Sequence, residues 1–327
     1  MEILLSVVNQ DALEIETDVL VLKYAQAAYG VDREVIARLS KIKKDLFEKL
    51  PLPDACLLVP TFGCIAARYV LFVGVEPIYN FSYGDIREFS RAALESLSLK
   101  SLNVNHVCFT LHGAGFGLDE SEAFESEIAG WIDAFSGTLY PHHLKQIVVA
   151  EYQESRAERL QAIILSLFPK GKIILDEHRT SQPDLGPLIN AGNVSDNKPL
   201  IFVAMPFTPG MYDVFDYGIR GAVKKAGYLC ERTDEAYFTG EIIERIKKRI
   251  NDAELIIADM TSSNPNVYLE VGLAWGYGKP TILIAQNEQD LKFDVRGHKC
   301  ILYNLITDLE EKLARELIGI KGGNLKY

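Results

Sequence analysis

The 327-residue chain has no apolar run long enough to cross a membrane. Its continuous apolar stretches, at 69–75 and 255–258, are strand-length, whereas a spanning helix needs about 20 residues. No membrane partner is therefore expected. The chain also has no CxxC pair: Cys56, Cys64, Cys108, Cys230 and Cys300 are odd in number and scattered. That argues against a disulfide framework or a zinc site and suits reduced thiols, so a cytoplasmic location is expected. There is no basic excess. With 34 Lys and Arg against 45 Asp and Glu, the net charge is −11, and general nucleic-acid binding, which needs a concentrated basic face, is not expected. The one basic cluster, Arg245, Lys247, Lys248 and Arg249, shares its helix with Glu241 and Glu244 and reads as a solvated face. The opening "MEILLSVVNQDALEIETDVL" has no basic region and carries acids early, so no secretory signal is expected. His142 and His143 lack partners at ligand offsets, and Ser6, Ser82 and Ser90 lack an elbow context. No metal and no cofactor are expected, and no repeat of fixed period is visible.

What is present points to two α/β domains, as this length suggests. Strands are expected at 3–8, 18–24, 55–61, 68–75, 106–112 and 146–152, and helices at 32–49, 85–98, 119–135 and 154–167. The third helix is expected to start at an Asp119–Glu122 capping box. This alternation predicts a three-layer domain over 1–177, with "KIILDE" a candidate last strand. Residues 178–198, rich in Pro, Gly, Asn, Asp and Ser, are expected to be a linker. A second three-layer domain, 199–327, is more regular. Strands are expected at 200–207, 228–234, 255–260 and 280–285, with a fifth at 298–304. Helices are expected at 211–226, 239–252 and 265–277. "LIIADM" is continuously apolar, as central parallel strands are, so a doubly wound, flavodoxin-like parallel sheet is expected.

In such a sheet ligands sit beyond the carboxyl ends of the strands. The residues there are Met205-Pro206-Phe207, Arg232, Asp234, Asp259 with its "TSSNPN" turn, and Gln286-Asn287. Asn264 is a candidate N-cap, Pro265 a good first helical residue, and Asn266 follows at a helix start that suits hydroxyl or phosphate oxygens. Glu270 stands about one and a half turns into that otherwise apolar helix. A carboxylate there can act on the anomeric carbon of an N-glycoside as the base leaves, and Asp259 can hold sugar hydroxyls or handle a proton. The plainer alternatives are that Glu270 pairs with Arg296 or Arg232, and that Asp259 bonds its own turn. Gly272, Gly276 and Gly278 weaken the helix, a cost that close approach to the sheet or a ligand would offset.

"FVAMPF", "ADMTSSNPNVYLEVGLAWGYGKPTILI" and "KFDVRGHKCILY", in this order, resemble the nucleoside 2-deoxyribosyltransferase-like family, related in fold to TIR domains. The resemblance covers 200 to about 304. It implies that Glu270, in its N-P-N-V-x-x-E context, is the catalytic residue and Asp259 the sugar-site partner. Phe207, Tyr212, Asp234 and Arg296 are implied substrate contacts, beside Met205, Asn264 and Asn266, which are candidates from their place at the strand end and helix start. The implied reaction is cleavage of a base–sugar bond in a nucleoside, nucleotide or NAD, by hydrolysis or base transfer, in a family frequent in bacterial antiphage defence. The small-molecule partner is thus a nucleoside, nucleotide or NAD, and a homo-oligomer is expected.

In the first domain, "LHGAGFGLDE" places Gly113, Gly115 and Gly117 between a strand and a helix. Such a loop can wrap a diphosphate, or simply make a tight turn, and the acids Asp119, Glu120 and Glu122 would repel a phosphate. The order of elements over 1–168 loosely resembles macro domains, although "KYAQAAYGVD" stands where their asparagine-rich loop would be. This resemblance implies a ligand-binding or regulatory role. An alternative for the whole chain is a nucleotide or second-messenger sensor that binds without turnover.

Overall fold

The computed structural model describes residues 1–77, 81–100, 102–114, 117–175, 186–232 and 240–323. It divides into two compact units, Met1–Ala114 with Glu120–Asp196, and Gly115–Asp119 with Asn197–Tyr327.

The first unit is built on seven strands: β1 (Glu2–Asn9), β2 (Val19–Tyr24), β3 (Cys56–Pro60), β4 (Tyr69–Gly74), β5 (His106–Thr110), β6 (Gln146–Glu151) and β7 (Lys172–Ile174). Their order is β3-β4-β2-β5-β6-β1-β7. The inner neighbours are parallel, while β3 on β4 and β7 on β1 are antiparallel. Inner strands such as β2 bury nearly every side chain, which is why they read as continuous apolar runs. The helices are α1 (Gly30–Ser40), α2 (Leu46–Lys49), α3 (Tyr83–Ser98), α4 (Glu120–Ser136), α5 (Glu154–Leu167) and α6 (Gly186–Asn190).

Three expectations are corrected here. The helix expected over 32–49 is two, because the chain unwinds at 41–45. Ile42 and Lys43 both donate to the Leu39 carbonyl as the last turn tightens, and Lys41, Lys43 and Lys44 gather where a helix end favours cations. The stretch 178–198 is a connector only in part. Its beginning lies outside the described residues, but Leu188, Ala191 and Ser195 are buried in the first unit. Arg87 of α3 donates to the Leu188, Ile189 and Ala191 carbonyls and pairs with Asp133 of α4. One arginine thereby satisfies a turn whose composition suggests a loose chain. The acids at the start of α4 are also placed differently from a phosphate-repelling cluster: Glu120 pairs with Arg156 and Arg159, and Glu122 accepts from Ser195.

Helix α4 runs through the core and carries Glu127, fully buried, with neither carboxylate oxygen finding a hydrogen-bond partner among the described residues. Burial holds its carboxyl well above the usual range. The unfolded chain ionises Glu127 above about pH 4.5 while the folded unit keeps the proton, so stability falls as pH rises above that value. His112, also buried, is held well below its usual value by burial and then by Lys23. It contributes the opposite slope: stability falls as pH drops below about 6.5, where only the unfolded chain takes up the proton. Glu127→Gln, which mimics the neutral acid, is expected to gain stability on the parent as pH rises above about 4.5, by at most about 1.4 kcal/mol per pH unit. Urea unfolding read by Trp131 fluorescence in a Trp275→Phe background measures this; a pH-independent difference would contradict it.

The second unit holds five parallel strands, β8 (Leu200–Ala204), β9 (Leu229–Glu231), β10 (Leu255–Asp259), β11 (Thr281–Ala285) and β12 (Cys300–Leu302). The order β12-β11-β10-β8-β9 is the doubly wound arrangement expected. Its helices are α7 (Pro209–Asp213), α8 (Arg220–Lys225), α9 (Gly240–Asp252), α10 (Pro265–Gly276) and α11 (Ile306–Lys321). The helix expected over 211–226 widens between α7 and α8 into a π-helical stretch, Val214–Ile219. Helix α11 was not anticipated, although Leu309, Leu313 and Leu317 recur every four residues and all are fully buried.

Candidate active site

After β8 the chain passes to β9 on one side, then crosses to β10 on the other. The loops that leave β8 and β10 in opposite directions open a crevice at their carboxyl ends. Ala258 of β10 lies opposite Ala204 of β8, so Asp259 is level with Met205 at this edge.

Asp259 is at the strand end, as expected, but it has no exposed surface. One carboxylate oxygen accepts from the Thr261 amide at 2.9 Å and the other from the Tyr303 hydroxyl at 2.7 Å. Burial raises its carboxyl above the usual range, opposed by these bonds. Burial and the neighbouring carboxylate push the Tyr303 phenol up in turn. Asp259 therefore holds its own turn, the plainer of its two readings, and braces the end of β10. Tyr303→Phe leaves a buried carboxylate oxygen without its donor and is expected to cost about 1–3 kcal/mol. Urea unfolding followed at Trp275, with Trp131 replaced by Phe, would show an unchanged midpoint if the bond were immaterial.

The turn it braces is strained. Ser262 and Ser263 both have positive φ, at 64° and 50°, a region non-glycine residues rarely occupy. Such strain costs of order 1–3 kcal/mol per residue and concentrates at functional sites. The Ser263 hydroxyl donates to the Asp290 carbonyl, and so does the Tyr268 hydroxyl, which ties α10 to the loop after β11. Asn264 caps α10 as expected, its side chain accepting from the Asn266 amide, and Pro265 opens the first turn.

Glu270 lies half-buried on α10, beside the buried face formed by Val267, Val271 and Ala274. It shares a row with Asn266, one turn nearer the crevice. Both residues are engaged in interactions within the chain. The glycines of α10 correct an expectation: a Cβ at Gly272 or Gly276 would meet nothing within 4 Å, so neither permits a close approach to the sheet. Gly278, at φ +68°, ends the helix.

Met205 is buried and Phe207 half-buried. Both touch Arg232, the residue that follows β9. Its guanidinium carbon lies 4.9 Å from the Phe207 ring centre, 5.7 Å from Tyr212 and 4.0 Å from Phe215, and one of its nitrogens is 3.7 Å from the Met205 sulfur. Arg296 is exposed and donates to the Leu291 carbonyl at 2.8 Å, serving its own loop. Asp234 lies outside the described residues, as does Gly115 of the glycine loop. Gly113 and Gly117 have φ of +85° and +101°, the conformation that calls for glycine. The Gly117 carbonyl accepts from the Arg232 amide and the Asp119 carboxylate from the Cys230 amide, so this turn has a packing role. Sequence reasoning missed Tyr303 as the partner of Asp259 and the aromatic surroundings of Arg232. The only local signal for the latter was the recurrence of Tyr212 and Phe215 in the helix after β8.

No protein-family model and no curated protein matches this chain. Among solved structures, an Oceanobacillus iheyensis macrodomain with MES bound matches 50% of this chain and 92% of its own, at 18% identity and a TM-score of 0.40. A Trypanosoma brucei macrodomain in complex with ADP-ribose matches 49% of this chain and 68% of its own, at 17% identity and a TM-score of 0.40. A Clostridium botulinum CMP N-glycosidase matches 36% of this chain and 98% of its own, at 20% identity and a TM-score of 0.31. These are distant likenesses, and the function of this chain has to be argued from its own residues.

Proposed function

We propose that the second unit breaks the N-glycosidic bond of a nucleoside, nucleotide or NAD, passing the sugar to water or to another base. The observation that carries this reading is the placement of Glu270: a half-buried carboxylate on the helix that starts at the switch point of a doubly wound sheet. As the bond from C1′ to the base nitrogen breaks, its electron pair leaves with the base; a neutral nucleobase takes up a proton from solvent, whereas the cationic ring of NAD leaves as neutral nicotinamide without one. Glu270 meets the positive charge growing at C1′ and the ring oxygen, either by bonding to C1′ or by electrostatic stabilisation. Water or a second base then attacks C1′.

Asp259 acts at a distance in this scheme. Bound to Thr261 and Tyr303, it sets the strained turn from which α10, and with it Glu270, is aimed. The exposed amides at the start of α10 favour substrate oxygens. The test is incubation of the protein with a panel of nucleosides, nucleotides and NAD, with free base resolved by chromatography. Base is expected from at least one of them. Intact ligands that nonetheless bind would assign the crevice to sensing.

A further inference from the structure

We propose that α10 and the segment that runs beside it form the twofold interface of a homodimer, with Phe293 at the axis. The occupant of this face is a second copy of the chain, whatever chemistry the crevice performs.

Within α10 the exposed positions are Pro265, Leu269, Gly272 and Gly276, and their spacing puts them on one stripe. None of them is charged. On a chain of net charge −11 this is unusual: α1, α3, α5, α9 and α11 all set charged residues at exposed positions, among them Glu34, Glu88, Glu158, Lys248 and Lys312. Residues 290–298 lie along one flank of the stripe. The Tyr268 hydroxyl donates to the Asp290 carbonyl at 2.9 Å and accepts from the Lys292 amide at 2.8 Å. Two turns further along α10, the Trp275 ring stacks on His298 at 4.4 Å. Leu291 and Val295 are buried and anchor the segment from within. Between them stands Phe293, 89% exposed, the most exposed large apolar side chain among the described residues, and Leu269 on the stripe is 63% exposed. Burial of such a side chain is worth about 1.5–3 kcal/mol, so a fixed turn that holds Phe293 in water favours a partner that covers it.

The charges around Phe293 identify that partner. Going outward from it in both directions, Lys292 is answered by Asp294, Asp290 by Arg296, and Glu288 by Lys299. Each charge on one side is matched by the opposite sign at about the same distance on the other. A twofold axis through Phe293, perpendicular to α10, lays a second copy of the segment alongside in the opposite direction, so each acid meets a base of the other copy. An unrelated partner would not require a pattern that inverts about its own centre. The same axis sets the two α10 helices antiparallel, which also suits their dipoles. Glu270 lies about a third of a turn around the helix from the stripe, so the crevice stays open in the dimer.

The test is sedimentation velocity of the full chain, where the parent is expected to be a dimer at about 10 μM. Phe293→Glu should raise the dissociation constant at least about 100-fold, as loss of a central aromatic anchor does. Lys292→Glu and Asp294→Lys each bring like charges together twice across the axis and should each weaken the dimer by at least about tenfold. Mixed in equal amounts, these two variants should pair with nearly the parent's affinity, because each supplies the sign that the other lacks. Urea midpoints measured at a concentration where all are monomeric check that the variants, altered only at exposed side chains, remain folded. A parent that stays monomeric, a dimer indifferent to all three substitutions, or a mixture that associates no better than its components would overturn the proposal. None of these outcomes depends on base release, so the glycosidase reading stands or falls separately.

Discussion

Glu270→Gln is expected to lower kcat for base release by at least about 1,000-fold, some 4 kcal/mol of transition-state stabilisation. Glutamine keeps the size of the side chain and its capacity for hydrogen bonds, but it has no negative charge to meet the cationic sugar. The charge develops mainly in the transition state, so the loss should fall on kcat, with the dissociation constant of the intact substrate within about threefold of the parent. Half-burial in an apolar helix strengthens the effect, because water screens the carboxylate less there than on an open surface. Initial rates and calorimetric binding of the same substrate check both halves of the expectation. A variant that loses less than tenfold in rate would remove Glu270 from the chemistry, and a variant that loses binding and rate together would make it a substrate-holding residue.

The second large effect concerns folding of the first unit. Gly130→Ala should destabilise it by about 1–3 kcal/mol or more, although alanine is the better helix former by about 1 kcal/mol. Gly130 sits in α4 where α3 crosses it, and a Cβ built there lands on the Ser90 hydroxyl and the Arg87 carbonyl oxygen. The Arg87 carbonyl carbon would also be only 3.0 Å away. Backbone cannot step aside as a flexible side chain can, so α3 and α4 must separate. Separation pulls the Ser90 hydroxyl from the Glu127 carbonyl, now 2.7 Å away, and strains the Arg87–Asp133 pair. Gly272→Ala is the matched control, since a Cβ there meets nothing within 4 Å, and it should stabilise the second unit by up to about 1 kcal/mol. Urea midpoints of the two variants are expected to move in opposite directions. Similar small shifts in both would show that the α3–α4 approach is not the constraint the geometry implies.

The contrast between these two glycines shows where sequence reasoning reaches and where it stops. Both interrupt apolar helices and look alike locally. Only the packing partner distinguishes them, and that partner is decided by which helices cross, a long-range property. Local signals did locate most elements. The continuous apolar runs of β8 and β10 announced buried parallel strands, and the Asn264-Pro265 pair marked the start of α10. The parallel, doubly wound character of the five-stranded sheet was legible from the alternation of strand and helix, whereas its strand order came only from the structure. Helix α11 went unread despite the spacing of Leu309, Leu313 and Leu317, because the polar residues between them mask the stripe when the segment follows the last recognisable motif. Helix α1 was read too long, since Lys41, Lys43 and Lys44 are good helix formers and also good helix enders.

Of the candidate site, single residues were legible and their relations were not. Asp259 could be placed at a strand end, but not inside a closed set of bonds with Tyr303, 44 positions away in sequence. That bond depends on the register of β11 and β12 beside β10, which no local pattern encodes. Arg232 was visible as an edge residue, whereas its setting among Met205, Phe207, Tyr212 and Phe215 brings together residues up to 27 positions apart in sequence. Glu270 was recognisable because a lone acid among apolar residues contradicts the helix pattern around it. Contradictions of that kind are where sequence patterns point to chemistry rather than to packing.

The claim at the centre is that a base–sugar bond breaks in this crevice through Glu270. Proton magnetic resonance tests it most directly, by following the anomeric proton of AMP and of NAD during incubation with the parent and with Glu270→Gln. The account requires the N-glycoside signal to decay in the parent with at least one of them, free-sugar anomeric signals to grow in step with free base, and both to stand still in the variant. An N-glycoside signal that persists in the parent while the ligand binds, or that decays equally in the variant, would contradict it.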